Sequence, residues 1–177
     1  MASAANWVAL VFAWNQPFYP LYLWAAVGAD KIAPSFLTFL STPFFLAVPA
    51  VAKRHPLAAR VMLPLTSVAN GIVSTKAFGV GSGVEIFLLP CALIGAALFR
   101  PSERAIGLVV IALSAAAHFI PTRFFGEPLA SFTAADNGAM VGLNAVSAAT
   151  LIVFIGLLLS GVMAASEQRG DQAPRRK

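Results

Sequence analysis

Apolar residues gather into six long stretches, separated by short links that carry most of the charge and much of the glycine. A bilayer core about 30 Å thick is crossed by roughly 20 residues of helix, and somewhat fewer suffice where flanking side chains snorkel or the bilayer thins. The stretches at 6–28, 34–51, 60–78, 83–99, 104–121 and 138–164 meet that requirement and predict six transmembrane helices. Strands do not fit the pattern, because the runs are continuously apolar, rich in Ala, Leu and Phe, and lack the alternation of a membrane barrel. The fold class expected is all-α: a polytopic membrane protein with a bundle of six transmembrane helices over residues 1–165. The polar tail at 166–177 is expected to be disordered.

Composition agrees, with 59% hydrophobic and 11% charged residues and a mean hydropathy of +0.81, far from the balance of a soluble domain. The charges give orientation. Lys53, Arg54 and Arg60 follow the second stretch, Arg100 and Arg104 the fourth, and Arg169, Arg175, Arg176 and Lys177 the last. Only Lys31, Lys76 and Arg123 fall on the other side, among Asp30, Glu85, Glu127 and Asp136. Basic residues near helix ends are retained in the cytoplasm, so both termini are expected there. A formal charge of +5 and a pI near 10 raise the question of a nucleic-acid partner. The basic residues are scattered along helix ends rather than set in one stripe with aromatic platforms, so the partner they imply is the lipid bilayer and no nucleic acid. The first stretch has no basic leader and carries Asn15, Gln16 and Pro17 in its middle, so it reads as a retained helix. The single cysteine, Cys91, allows no disulfide within the chain.

Polar residues at membrane depth are costly unless they face the bundle interior or a wet cavity. With the termini inside, Lys76, Glu85, His118 and Asn144 fall in the outer leaflet on four different helices, and Arg123 follows in the next link. These five are the ligand-binding candidates. Asn15, Gln16 and Asn70 lie nearer the midplane and form a second polar set. Each has a plainer alternative. Lys76 and Glu85 either pair across the GVGSGV turn or snorkel separately; His118 is a ligand, a proton switch or a hydrogen-bonded interior residue; Asn144 is a ligand or an interhelical hydrogen-bond partner. Prolines at 17, 20, 43, 49, 64 and 90 kink helices, shaping a cavity or only the packing. Gly142, Ala145, Ala148, Ala149 and Gly156 allow close helix contact in the last stretch, and with it a homo-oligomer. In the long link before that stretch, Phe124, Phe125, Leu129 and Phe132 suit the membrane interface, and Ser131, Thr133, Asp136 and Asn137 offer turn or capping chemistry.

Motifs of catalysis are missing from the sequence. The glycines of GVGSGV do not follow the G-x-G-x-x-G spacing, and H-E-x-x-H and G-x-S-x-G are not found. His55 and His118 are expected on opposite faces, and Cys91 with one distant histidine supplies too few ligands for zinc. No cofactor and no metal site are expected, and no enzyme activity. The segment GVGSGVEIFLLPCALIGAALFRPSER, from Gly79 to Arg104, together with LNAVSAATLIVFIG in the sixth stretch, resembles the multi-helix membrane sensory domains of bacterial nucleotide cyclases and histidine kinases. In that family the last helix leads through a coiled linker to a catalytic domain, whereas this sequence ends at Lys177.

The resemblance implies a stand-alone sensory module of the bacterial inner membrane, multi-pass and without catalytic output. From its outer-leaflet side, through Lys76, Glu85, His118, Asn144 and Arg123, it would bind a small or lipophilic ligand, or a membrane or cytoplasmic signalling partner, and respond by changing helix packing. The alternative is a small oligomeric transporter or channel, drawn from the proline kinks and the midplane amides. A membrane-embedded enzyme with His118 and Glu85 as acid and base ranks last, because no second carboxylate lies deep in the bundle.

Overall fold

A computed structural model of the chain describes residues 2–124 and 126–171, with side chains described except at 2, 120–123 and 166–171. The described residues are helical or in short connections, with no strand among them. The α-helices are α1 (Ala2–Asn15), α2 (Tyr19–Val27), α3 (Thr42–Arg54), α4 (Pro56–Phe78), α5 (Leu88–Ala97), α6 (Arg104–Phe124) and α7 (Ala134–Asp171). Four helical segments are long and apolar enough to cross a membrane: Ala33–Arg54, Pro56–Phe78, Pro101–Phe119 and Ala134–Ala165.

Three of the six expected stretches take a more irregular form. In the first, α1 and α2 are joined by a 3₁₀ turn, Gln16–Phe18, instead of continuing as one α-helix. The cause is local: Pro17 and Pro20 have no N–H for the carbonyls four residues earlier. The carbonyl of Gln16, which Pro20 would leave unpaired, accepts the N–H of Tyr19 instead. The fourth stretch is a shorter apolar segment, Val84–Ala97, whose first turn is 3₁₀ and whose remainder is α5.

The second stretch enters as nine residues of 3₁₀ helix, Ala33–Ser41, before becoming α3. Runs this long are uncommon because 3₁₀ hydrogen bonds are poorer than α ones. Here the sequence supplies support: Ser35, Thr38 and Ser41 recur every third residue, the 3₁₀ period, and all three are buried in one row. Each hydroxyl donates to the carbonyl three residues back: Ser35 to Ile32 at 2.5 Å, Thr38 to Ser35 at 2.7 Å and Ser41 to Thr38 at 2.8 Å.

Helix α4 is central, packing against α1, α3, α5 and α6, and half of its apolar window is buried, more than in the other three spans. Lipid tails are as apolar as the side chains, so close packing and interhelical hydrogen bonds hold such a bundle rather than water exclusion. Three apolar clusters result: Val68 of α4, Leu88 and Cys91 of α5 and Ala117 of α6 form the smallest, and the two larger cores lie at opposite ends of the bundle. One joins the start of α1 (Ala5, Val8), Phe45 of α3, Leu63 of α4 and the late part of α7 around Ile155. The other, at the opposite end, joins Tyr19 and Leu23 of α2, Phe78 at the end of α4 and Met140 at the start of α7.

Helices α5 and α6 approach closely, since a Cβ built on Gly107 would lie 2.5 Å from the Gly95 carbonyl oxygen. Close contact was expected instead in the sixth stretch. A Cβ at Gly142 or Gly156 meets nothing within 4 Å, because those glycines face outward while Ala148 faces in. Helix α7 also starts earlier and ends later than expected. Thr133 caps it: the Thr133 N–H donates to Asp136 Oδ2 at 2.8 Å, and the Asp136 N–H donates back to Thr133 Oγ1 at 3.1 Å. At the other end it runs to Asp171 through the first part of the polar tail, where Glu167, Gln168 and Arg169 are good helix formers; residues 172–177 lie outside the described residues.

Candidate functional site

A cavity of about 530 Å³ lies between the two larger cores, at the level of the break in the first helical run. That size is within the range of small-molecule sites. Its walls come from α1 and α2, the 3₁₀ segment, α4, the start of α5 and the middle of α7. All three midplane candidates, Asn15, Gln16 and Asn70, line it. Gln16 is buried, and its Nε2 donates to Ser41 Oγ at 2.7 Å, fixing the amide against the end of the 3₁₀ row. That bond uses one of the two amide hydrogens. Ser67 on the facing wall is spent on its own helix, donating to the Leu63 carbonyl at 2.9 Å.

Thr38, Tyr19 and Thr150 are likewise spent, on Ser35, Asn144 and Val146, but four polar side chains of the wall are not. Asn15, Asn70, Ser74 and Ser147 make no side-chain hydrogen bond among the described residues. No lysine, arginine, histidine, aspartate or glutamate lines the cavity. Aromatic rings of Phe12, Phe45, Phe87 and Phe154 make up much of the apolar wall, with Phe12 and Phe45 in edge-to-face contact at 5.3 Å. Trp14, 75% exposed, and Val146, 69% exposed, stand at the rim.

The outer candidates are dispersed among other roles, and none of Lys76, Glu85, His118 and Asn144 lines the cavity. Glu85 pairs with His118, with Oε2 and Nδ1 2.7 Å apart, linking the segment before α5 to α6. This is the partner of Glu85, in place of the Lys76 considered from the sequence. The other carboxylate oxygen, Oε1, is buried with no hydrogen-bond partner among the described residues. Lys76 Nζ donates to the Glu127 carbonyl at 2.6 Å, tying the end of α4 to the link between α6 and α7. The side chain of Arg123 lies outside the described residues.

Asn144 is fully buried and works as an interhelical clamp. Its Oδ1 accepts from the Tyr19 hydroxyl at 3.2 Å, and its Nδ2 donates to the Ser82 carbonyl at 3.0 Å. The GVGSGV turn can approach because of its glycines: Gly83 has φ +68°, and a Cβ there would meet Val141 of α7 at 2.9 Å. The turn is thus a packing device that delivers the Ser82 carbonyl to Asn144.

Two further ion pairs hold the links. Arg60, buried at the start of α4, donates through Nη2 to Glu103 Oε1 at 2.5 Å, and the Arg100 N–H donates to the other oxygen of Glu103 at 3.0 Å. Arg60 still counts toward orientation, since that rule reads basic residues and not net charge. Lys31 Nζ lies 2.6 Å from Asp136 Oδ2 at the start of α7. No group of three His, Cys, Asp or Glu side chains comes together to hold a metal among the described residues.

Sequence reasoning singled out the midplane amides, and Ser147 beside Asn144, but missed Thr38 and Ser74 as wall residues. For Thr38 a signal was present in the three-residue period of Ser35, Thr38 and Ser41, which an α-helical reading disperses around the helix. A broader recess of about 790 Å³ at the α3–α4 corner is lined only by residues of that one hairpin, from Arg54 to Thr66, and encloses nothing. In comparison with known proteins, the sequence matches no protein-family model and no curated protein.

Proposed function

We propose that the chain is a six-span membrane protein, with both termini in the cytoplasm, that binds a ligand in the cavity between its two larger cores. The observation that carries the reading is the set of unpartnered amides and hydroxyls, Asn15, Asn70, Ser74 and Ser147, gathered on the walls of one cavity. Polar groups at membrane depth are disfavoured without partners, so a ligand that pairs with them is favoured there. In this reading the first helical run and the shorter Val84–Ala97 are the other two spans beside the four long apolar helices, and the larger cores at opposite ends of the bundle support helices that run from face to face. The walls carry recognition groups rather than an acid and a base, which supports binding without catalysis. A ligand seated between the break of the first run and α7 would alter how those elements pack, as a sensory module requires.

Native mass spectrometry of the protein extracted from its own membrane tests this. A small molecule retained by the wild type and lost from the Asn70→Leu/Ser74→Val double variant is the expected outcome; retention by both variants alike would remove the cavity from consideration. Orientation is checked separately, in a Cys91→Ala background, by an impermeant maleimide that labels Ala130→Cys but not Ala165→Cys in intact cells. A small transporter is the second reading, favoured by the break at Gln16–Phe18, since interrupted helices at the midplane serve carriers in binding solutes. Solute flux in proteoliposomes distinguishes the two.

A further inference from the structure

We infer that the cavity receives its ligand sideways from the lipid, and that the ligand is an uncharged amphiphile whose head carries carbonyl or hydroxyl groups. The inference rests on the reading of the cavity as a ligand site and adds its route of access and its chemical class.

The route follows from depth. Ser67 lies midway along Pro56–Phe78, about 16 Å from either end at about 1.5 Å per residue. The other wall residues fall at corresponding levels, in the middle of Ala134–Ala165 and at the break of the first run. An opening at that level faces hydrocarbon. Its rim is formed on one side by Trp14 and Tyr22 and on the other by Val146 and Thr150, and all four are exposed. A tail can remain in the bilayer through this window, so only the head and its neighbouring atoms need fit the cavity.

The class follows from the walls. A charged head would find no opposite charge there, and an unpaired charge in this setting is strongly disfavoured. The amide of Asn70, the second hydrogen of Gln16 Nε2 and the hydroxyls of Ser74 and Ser147 offer both donors and acceptors. A carbonyl uses the donors and a hydroxyl uses both. The phenyl rings flanking these groups suit the apolar body next to such a head.

The test uses the full chain in nanodiscs and probes that share a ten-carbon tail: decanoylglycerol and decylubiquinone as uncharged heads, decanoate and decyltrimethylammonium as charged ones. Titration by native mass spectrometry should find the uncharged probes binding saturably and at least tenfold more tightly. Which of the two binds better identifies a hydroxyl-headed lipid or a carbonyl-headed ring as the source. Asn70→Leu and Ser74→Val should each weaken that binding at least fivefold. Val146→Trp, at the window, should weaken or slow it, and Leu157→Trp, exposed on the same helix away from the cavity, should not. Charged probes binding as well as uncharged ones, yet still lost in Asn70→Leu, would overturn the ligand class while leaving the site. Unchanged binding in Val146→Trp would overturn the lateral route. Binding indifferent to both wall substitutions would instead remove the site itself. Unfolding temperatures of each variant show that the fold is kept; if Asn70→Leu fails that control, Ser74→Val and the rim substitution Val146→Trp carry the test.

Discussion

Gln16 and Ser41, twenty-five residues apart, share a side-chain hydrogen bond of 2.7 Å that joins the break in the first helical run to the end of the 3₁₀ segment. Two irregular backbones are thereby locked to each other on one wall of the cavity. The Gln16 amide is held by this bond, and Ser41 in turn donates to Thr38.

Removing either end should cost about 0.5–2 kcal/mol, the range for hydrogen bonds between membrane helices. Gln16→Leu and Ser41→Ala are expected to lower the unfolding midpoint in a mild detergent titrated with SDS. The double variant should cost less than the sum of the two, because both single changes break the same bond. Additive losses would show that the bond contributes nothing to stability.

The Glu85–His118 pair gives an asymmetric prediction. His118→Ala leaves both carboxylate oxygens of Glu85 without a partner, and should destabilise by about 1–3 kcal/mol. Glu85→Gln should recover much of that loss in the His118→Ala background, since a neutral amide needs less compensation than a carboxylate. SDS unfolding of the two single variants and the double variant measures this.

Lys31 gives the pH dependence. Its hydrogen bond to Asp136 holds the ammonium above its ordinary value of 10.5, with desolvation opposing and the charges of Asp136 and Asp30 assisting. A value raised on folding contributes stability that is complete below the unfolded value and is lost as pH rises through the folded one. The wild type should therefore lose stability above about pH 10.5 more steeply than Lys31→Met, whose curve lacks this contribution. Thermal unfolding from pH 8 to 12, with both proteins in the same detergent, provides the comparison.

Glycine substitutions separate the two glycine sets. Gly107→Ala would set its methyl against the Gly95 carbonyl, pushing α5 and α6 apart at a cost of about 1–3 kcal/mol. Gly142→Ala and Gly156→Ala meet open space and should be neutral or slightly stabilising through helix propensity. A large loss at Gly142 or Gly156 in the membrane, absent in detergent monomers, would mean that α7 meets a second chain there.

Depth was legible in the sequence and direction was not. The position of a residue within an apolar run fixes its level, so Asn15, Gln16 and Asn70 were recognisable as one midplane set, and they do face one cavity. The same reasoning put Lys76, Glu85, His118 and Asn144 at one level, but partners depend on how each helix is rotated about its axis. Rotation is settled by packing: Gly95 against Gly107 sets α6, and Gly83 against Val141 sets α7. Neither contact has a sequence spacing that announces it. The Thr133–Asp136 cap, by contrast, is local and was readable directly, because all of its partners lie within four positions.

The 3₁₀ segment also makes the second span taller than its residue count implies. Nine residues rising about 2.0 Å each cover about 18 Å, where an α-helix would cover about 13.5 Å. The span therefore matches a bilayer several ångströms thicker than the same residues would reach as regular helix. Thinning the membrane favours the shorter winding, and that winding takes Ser35, Thr38 and Ser41 out of a single row. Of the three, Thr38 lines the cavity, so such rewinding would turn one hydroxyl of its wall, a displacement driven by hydrophobic mismatch alone.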